Sequence, residues 1–262
     1  MPKYGMVIDL QKCVGCGACA IACKTENNTQ DRAKGQTYNW ADYLMKAEGK
    51  FPNAKFEVKP VLCNHCTDAP CVAACPVTPK AMHKHENGMT IHNMERCIGC
   101  RLCQEACPYS TKDVDADKAA YSVISFNDFE GDVHPFYKDT KEAVPEGTAS
   151  GAEISKMAGD MPPQRTLYKH SDYASVRENG KVEKCIFCEH RVMKGELPYC
   201  VVSCPASARI FGDLSDPNSE PSKALKANKA VQLKNNKGET LKSGEKGTKP
   251  NVYYIRSFTV RK

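Results

Sequence analysis

The sequence predicts an α+β fold in which small modules are duplicated along the chain, one inserted in another, and joined by long irregular connections. Three observations predict it. The 16 cysteines of this 262-residue chain fall without remainder into four groups of four. Short alternating stretches lead into or out of those groups, as brief strands would. The apolar content is thin for one large core: 41% of residues are hydrophobic, there is one tryptophan, and mean hydropathy is −0.53. Small modules short of core are commonly stapled by metal.

The groups are Cys13, Cys16, Cys19 and Cys23; Cys63, Cys66, Cys71 and Cys75; Cys97, Cys100, Cys103 and Cys107; and Cys185, Cys188, Cys200 and Cys204. The third reads Cys97-Ile-Gly-Cys100-Arg-Leu-Cys103-Gln-Glu-Ala-Cys107-Pro108. That spacing holds iron–sulfur cubanes in bacterial two-cluster ferredoxins. A tight loop places three thiolates on three irons, and Gly99 lets the backbone approach closely. The fourth cysteine lies beyond that loop and in the ferredoxin pattern ligates the other cluster. Applied here, the crossing predicts four [4Fe-4S] sites. Cys13, Cys16 and Cys19 take Cys204; Cys185, Cys188 and Cys200 take Cys23; Cys63, Cys66 and Cys71 take Cys107; Cys97, Cys100 and Cys103 take Cys75.

Disulfides fit poorly, because cysteines two residues apart suit metal better than bridges, and 16 in 262 residues falls short of a disulfide scaffold. Zinc is the stronger rival, since Cys-x2-Cys pairs build four-thiolate sites. Taken alone, Cys185 to Cys204 passes for a zinc ribbon; a third cysteine at the next three-residue step in the other groups does not. The formal charge of +6 omits the cofactors. Four clusters at about −2 each bring it to roughly −2, so the basic residues read as neutralisation of anionic clusters. No basic stripe interleaved with aromatics suggests nucleic acid.

In chain order, Tyr4 to Leu10 alternates as a strand into the first group, and Ala18 to Lys24 reads as a short helix. Thr25 to Pro60, with Trp40, Tyr43 and Phe51, reads as a connection packed over the first cluster. Phe56 to Leu62 reads as a strand into the second group. Val77 to Arg96, including Gly88-Met-Thr-Ile-His92, is a hairpin-like link, so 61–108 forms a complete two-cluster module, extended to 126 by a strand at Val123 to Phe126. The first and fourth groups lack near neighbours and are expected to pair. The division is then an outer module at 1–60 and 180–215, an inserted module at 61–126, an irregular connection at 127–179 and a C-terminal extension at 216–262.

The 127–179 connection, rich in Gly, Pro, Ser and charge, reads either as a solvated excursion or as a segment wrapping a partner subunit. Arg209 to Leu214 is strand-like, and Asp216-Pro217 reads as an N-cap followed by proline at the first helical position. Lys223 to Lys249 carries eight lysines against two glutamates, a solvated face or a dock for an acidic partner. Val252 to Val260 closes the chain as a strand. No apolar run approaches the roughly 18 residues of a membrane span, and Met1 to Leu10 lacks the pattern of a signal peptide. Export would therefore depend on a partner's signal.

His65 and His190 sit beside complete sets of four thiolates and are expected to pack, hydrogen-bond or tune rather than ligate. Lys24, Arg96, Arg101, Lys184, Arg191 and Arg209 lie near ligands, where a cation favours the reduced state. No phosphate loop, dinucleotide fingerprint or nucleophile–base constellation is present, so no catalytic residue is expected.

The four motifs in this order, with Leu62-Cys-Asn-His-Cys66 and Ala69-Pro-Cys71, resemble the four-cluster iron–sulfur subunits of molybdopterin oxidoreductases. That group includes dimethyl sulfoxide, polysulfide, tetrathionate and nitrate reductases and formate dehydrogenases. Gly5-Met-Val-Ile-Asp-Leu-Gln-Lys-Cys13, Ala22-Cys-Lys-Thr-Glu-Asn-Asn-Thr29 and Tyr254-Ile-Arg-Ser-Phe258 are most similar to the small subunits of respiratory arsenate reductases. The resemblance implies a non-catalytic electron-transfer subunit of anaerobic respiration. Its large partner would carry a molybdenum bis-pterin cofactor, and a quinol-oxidising membrane subunit or cytochrome would stand at the other end. It also implies a periplasmic site, reached by co-export with a signal-bearing partner; the alternative is cytoplasmic. A free polyferredoxin shares every motif and is the rival from another class.

Overall fold

The computed structural model describes residues 1–29, 39–128, 135–142, 144–159, 177–239, 241 and 248–256. Strand β1 (Tyr4–Asp9) is followed by helix α1 (Ala18–Asn27), which Asn28 ends in the left-handed conformation. Strands β2 (Ala41–Glu48) and β3 (Lys55–Leu62) then form an antiparallel hairpin, Ala41 facing Leu62 and Glu48 facing Lys55. The connection expected over 25–60 therefore contains a strand that sequence patterning did not show. The cause is visible in β2: its outer half is exposed on both faces, so no alternation marks it.

Pro70 opens helix α2 (Pro70–Ala73), where its missing N–H costs nothing. Strands β4 (Met82–Lys84) and β5 (Thr90–His92) make the hairpin expected between the second and third groups. After helix α3 (Leu102–Ala106), strand β6 (Ser125–Phe126) pairs across the long connection with β7 (Val182–Glu183). The two feet of that connection are tied together. The Asn127 N–H donates to the Lys181 carbonyl at 2.7 Å, and the Gly180 N–H to the Asn127 carbonyl at 2.8 Å. Between the feet lies helix α4 (Gly151–Ala158), started by a capping box of Ser150 and Glu153; much of the stretch read as an excursion, including Met161-Pro-Pro163, lies outside the described residues.

Helices α5 (Glu189–Val192) and α6 (Tyr199–Val202) carry the fourth group into strand β8 (Arg209–Asp213). Helix α7 (Glu220–Ala227) begins later than Asp216-Pro217 implied. Its N-cap is Ser219, whose Oγ accepts from the Ser222 N–H at 3.3 Å, while the Asp216 carboxylate takes the Asn218 N–H at 2.8 Å in a preceding turn. Asp216 is committed to its own turn, so the capping role passes to the next free oxygen. Strands β9 (Ala230–Val231) and β10 (Val252–Ile255) follow. The closing strand ends at Ile255, and residues 257–260 lie outside the described residues.

One sheet, ordered β8-β1-β10-β9, joins the two ends of the chain to the fourth group: β1 runs antiparallel to β8 and parallel to β10. Met6, Val7 and Ile8 are wholly buried in it. The start of β10 also clamps the second cysteine loop. The Asn251 N–H donates to the Asn64 carbonyl at 2.9 Å and its side-chain amide to the His65 carbonyl at 2.7 Å, while Met6 N–H donates to the Asn251 carbonyl at 3.0 Å. Trp40 is buried nearby, donating to Glu183 at 3.3 Å under the Arg177 guanidinium.

Candidate metal centres

Each group begins with a loop that must turn its amides inward. The residue two places after the leading cysteine has positive φ in every loop: Gly15 (70°), His65 (43°), Gly99 (70°) and Phe187 (54°). The result is a backbone N–H aimed at the leading sulfur. His65 N–H lies 3.5 Å from Cys63 Sγ, Gly99 N–H 3.4 Å from Cys97 Sγ, and Phe187 N–H 3.4 Å from Cys185 Sγ. Two cysteines that close their groups receive amides as well, Cys75 from Met82 at 3.5 Å and Cys204 from Ala208 at 3.3 Å. Donors of this kind stabilise thiolate sulfur and tune a cluster held by it.

Helix and hairpin geometry decide which sulfurs meet. Cys13, Cys16, Cys19 and Cys204 line one cavity, walled by Val58, Pro60 and Arg209. Cys63, Cys66, Cys71 and Cys107 line a second with Asn64, Thr90 and Lys184. Cys75, Cys97, Cys100 and Cys103 line a third with His92 and Arg101. Cys23, Cys185, Cys188 and Cys200 are all buried. The Cys23 thiol is pushed up first by burial, then by Cys200 and Cys188. The Asn27 amide bridges two of these sulfurs, at 3.6 Å from Cys23 Sγ and 3.7 Å from Cys188 Sγ.

The four groupings adjoin in a row. The charge of Cys19 is felt at Cys200, that of Cys63 at Cys185, and that of Cys71 at Cys103. The ends of the row reach the surface, where Cys16 and Cys100 are exposed; the two middle groupings are buried apart from Cys66, which is half-buried.

The donor set fits four-iron clusters. Each grouping offers four thiols, burial pushes Cys71, Cys107 and Cys200 up to about 12, and loading must take those protons off. Asn64 is 1% exposed in the wall of its cavity, yet both polar atoms of its side-chain amide are without a partner among the described residues. A cluster sulfide is the acceptor such an amide requires.

Of the cations expected beside the ligands, three face sulfur or a thiol cavity: Arg209, Lys184 and Arg101, the last in the wall of the Cys97 cavity. Arg209, 3% exposed, sets Nη2 at 3.4 Å from Cys19 Sγ, and the thiolates around it raise its pKa against the opposing effect of burial. Lys184 lines the Cys63 cavity. Arg101 also bonds Gln104 and the Lys112 carbonyl, while Lys24 is spent on the Thr29 carbonyl and Arg191 on Glu26 and Glu196. His190 also bonds Glu26, at 2.7 Å, pinning α5 to α1. Asn27, Asn64 and His92 carry no mark in the sequence that sets them beside a cluster. The backbone signal is read in the sequence at Gly99 alone, and at the matching positions of the second and fourth loops, His65 and Phe187, it is not glycine.

The site and fold define the chain as a ferredoxin-type protein, and it belongs to the 4Fe-4S dicluster domain family, whose model matches residues 54–124 and 154–214. A 4Fe-4S binding domain model also matches residues 4–25. The chain is 44% identical to the arsenate respiratory reductase iron–sulfur subunit of Shewanella sp. (strain ANA-3), over 99% of this chain and 98% of that one. It is 32% identical to a selenate reductase subunit of Mesobacillus selenatarsenatis and 30% identical to a tetrathionate reductase subunit of Salmonella typhimurium, each over 97% of this chain and 72% of the relative. It is thus an iron–sulfur subunit carrying multiple [4Fe-4S] clusters, without a catalytic role of its own. Among the described residues no helix is long and apolar enough to cross a membrane.

Proposed function

We propose that the four sulfur groupings are the ligand sets of four [4Fe-4S] clusters, and that the chain carries electrons between partners docked at its two exposed ends. When bound, such clusters supply one-electron couples. The chain's part is to hold them by sixteen thiolates, direct amides at the sulfurs, and exclude water from the middle pair. The observation that carries the reading is the exchange of closing cysteines: Cys204 lies with the first loop, Cys23 with the fourth, Cys107 with the second and Cys75 with the third. That exchange, with the sheet joining β1 to β8, supports one ferredoxin-like module (61–126) inserted in another (1–60 and 180–215). The connection 127–179 is then the part that engages a partner, while the extension 216–262 is divided between that role and the sheet, where Val252–Ile255 pairs with β1 and is largely buried.

The catalytic partner is a molybdopterin subunit, and respiratory arsenate reduction is the reaction favoured by 44% identity over 99% of the chain. A quinol-linked membrane subunit or cytochrome stands at the other end, in the periplasm. Anaerobic purification with the partner should give about sixteen irons for this chain, and dithionite-reduced clusters should reoxidise on adding arsenate. Reoxidation by tetrathionate or selenate instead would move the substrate assignment. The Cys23→Ser variant should perturb the signal of the cluster held by Cys185, Cys188 and Cys200. Loss confined to the Cys13 cluster would overturn the exchange.

A further inference from the structure

Lys184 is the least expected charge in the molecule. Its side chain belongs among the largest fully buried ones, at 1% exposure. Its Nζ donates to two neutral acceptors, the Thr90 carbonyl and, at 2.6 Å, the Cys185 carbonyl. The adjacent Glu183 is engaged elsewhere, with Trp40 and Arg177. Removing an ammonium from water without an anionic partner costs several kcal/mol, so a compensating charge must be near. The surroundings identify it. Lys184 lines the cavity of Cys63, Cys66, Cys71 and Cys107, and its backbone leads directly into Cys185 of the neighbouring grouping. Its charge opposes the burial effect on both Cys71 and Cys185.

We propose that Lys184 is a positioning residue for electron transfer: one fixed charge shared by the two middle clusters, which raises both reduction potentials and so sets the driving force for passing an electron between each end cluster and the middle pair. The inference rests on the ligand sets proposed above. Added negative charge is stabilised by a nearby cation in a low-dielectric interior, so the reduced form of each middle cluster gains more than the oxidised form. The exchange itself moves one electron between neighbours, one reduced as the other is oxidised, with no bond or proton exchanged. Thr90 makes the placement rigid, because its carbonyl accepts from Lys184 while its N–H donates to His65 Nδ1 at 3.1 Å.

The test is an EPR-monitored redox titration of the anaerobically purified complex, with the four signals assigned by single Cys→Ser variants. In Lys184→Gln, both middle clusters should fall in potential by at least a tenfold change in reduced-to-oxidised ratio, about 59 mV for a one-electron couple. The outer two should change less than about threefold, and Lys184→Arg should restore the middle pair. Lys84 bonds the Cys66 carbonyl at 2.9 Å, so Lys84→Gln should shift the Cys63 cluster alone. Unchanged middle potentials, or an equal shift of all four, would overturn the proposal. If Lys184→Gln loses the middle clusters, retention in Lys184→Arg upholds it and loss in both variants overturns it. Fewer than four assignable signals in the unmodified complex would instead sink the ligand sets.

Discussion

The first and third cysteine loops meet the same backbone requirement as the second and fourth with opposite chemistry. All four need positive φ two residues after the leading cysteine. Gly15 and Gly99 supply it without a side chain, in loops whose Val14 and Ile98 are 71% and 65% exposed. His65 and Phe187 supply it with rings, in loops that are buried and stacked face to face, centroids 3.6 Å apart and planes 9° from parallel. A left-handed non-glycine residue costs roughly 1–2 kcal/mol. Burying a ring such as Phe187 returns about 1.5–3 kcal/mol, and an aromatic pair about 0.5–1.5 more. At these two positions a buried ring offsets the strain, where the second and fourth loops meet. Glycine at 15 and 99 avoids that strain, and the small residue leaves the cluster edge open to a partner.

The sharpest way to break this contrast is to put a methyl on the glycine loops. A Cβ on Gly99 would sit 1.9 Å from the Gly180 carbonyl oxygen, a backbone atom at the foot of the 127–179 connection. On Gly15 it would meet a Val58 methyl at 2.7 Å, which a side chain can yield. Gly99→Ala should cost more than about 3 kcal/mol, by backbone displacement on top of strain, and empty the Cys97 cluster, leaving about three-quarters of the iron. Gly15→Ala should cost about 1–2 kcal/mol and keep four clusters. Iron analysis and EPR read both; equal losses would mean that exposure, not the close approach, governs these loops.

Exposure makes its own prediction. Cys16 and Cys100 give chelators and oxygen a direct approach, so the two end clusters should be lost first and the middle pair on the order of tenfold more slowly. Refilling a stripped chain should also depend on pH. Burial pushes Cys71, Cys107 and Cys200 to about 12, so at pH 7 each is a neutral thiol that must lose its proton on loading. Because the folded values lie above the ordinary thiol value of about 8.5, the stripped fold loses stability as pH rises from there toward 12. Cluster binding moves the other way, strengthening with pH because the protons released on loading enter a solution of lower proton activity. Refilling yield measured from pH 7 to 8.5 should rise; a flat profile would remove proton release from the account.

Much of this was legible because cysteine spacing is a covalent ruler. The groups, the strands feeding them and the hairpin between Val77 and Arg96 could be read directly. What escaped the sequence depended on long-range contact. β2 has no buried face to print an alternation, and the helix start at Ser219 depends on Asp216 being held in its own turn. Asn27 and Asn64 are ordinary polar residues until folding brings sulfur to one and encloses the other. Lys184 was visible as a neighbour of Cys185, but its burial against the Cys63 cavity follows from how the loops pack together. Glycine also misled by success: it marked the close approach at Gly99 and concealed that His65 and Phe187 take the same left-handed conformation.

The smallest effect tests whether the ring stack itself matters. If His65 and Phe187 were merely two buried rings, their substitutions would act independently; a stack predicts coupling. His65→Asn keeps a residue tolerant of positive φ, and Phe187→Leu keeps apolar bulk while losing the flat face and its edge contact with Phe211, centroid 5.2 Å away. Proteins with bound clusters do not unfold as simple two-state systems, so the readout is hydrogen exchange at the Asn251 amide, which donates to the Asn64 carbonyl of the second loop at 2.9 Å and owes nothing to the His65 side chain. Phe187→Leu should speed that exchange by roughly threefold to tenfold, the range of an aromatic pair. Because the His65→Asn background has already lost the stack, Phe187→Leu should have little further effect there. Additive effects would show that burial alone holds the two loops together, and the difference between glycine and ring loops would reduce to depth in the fold.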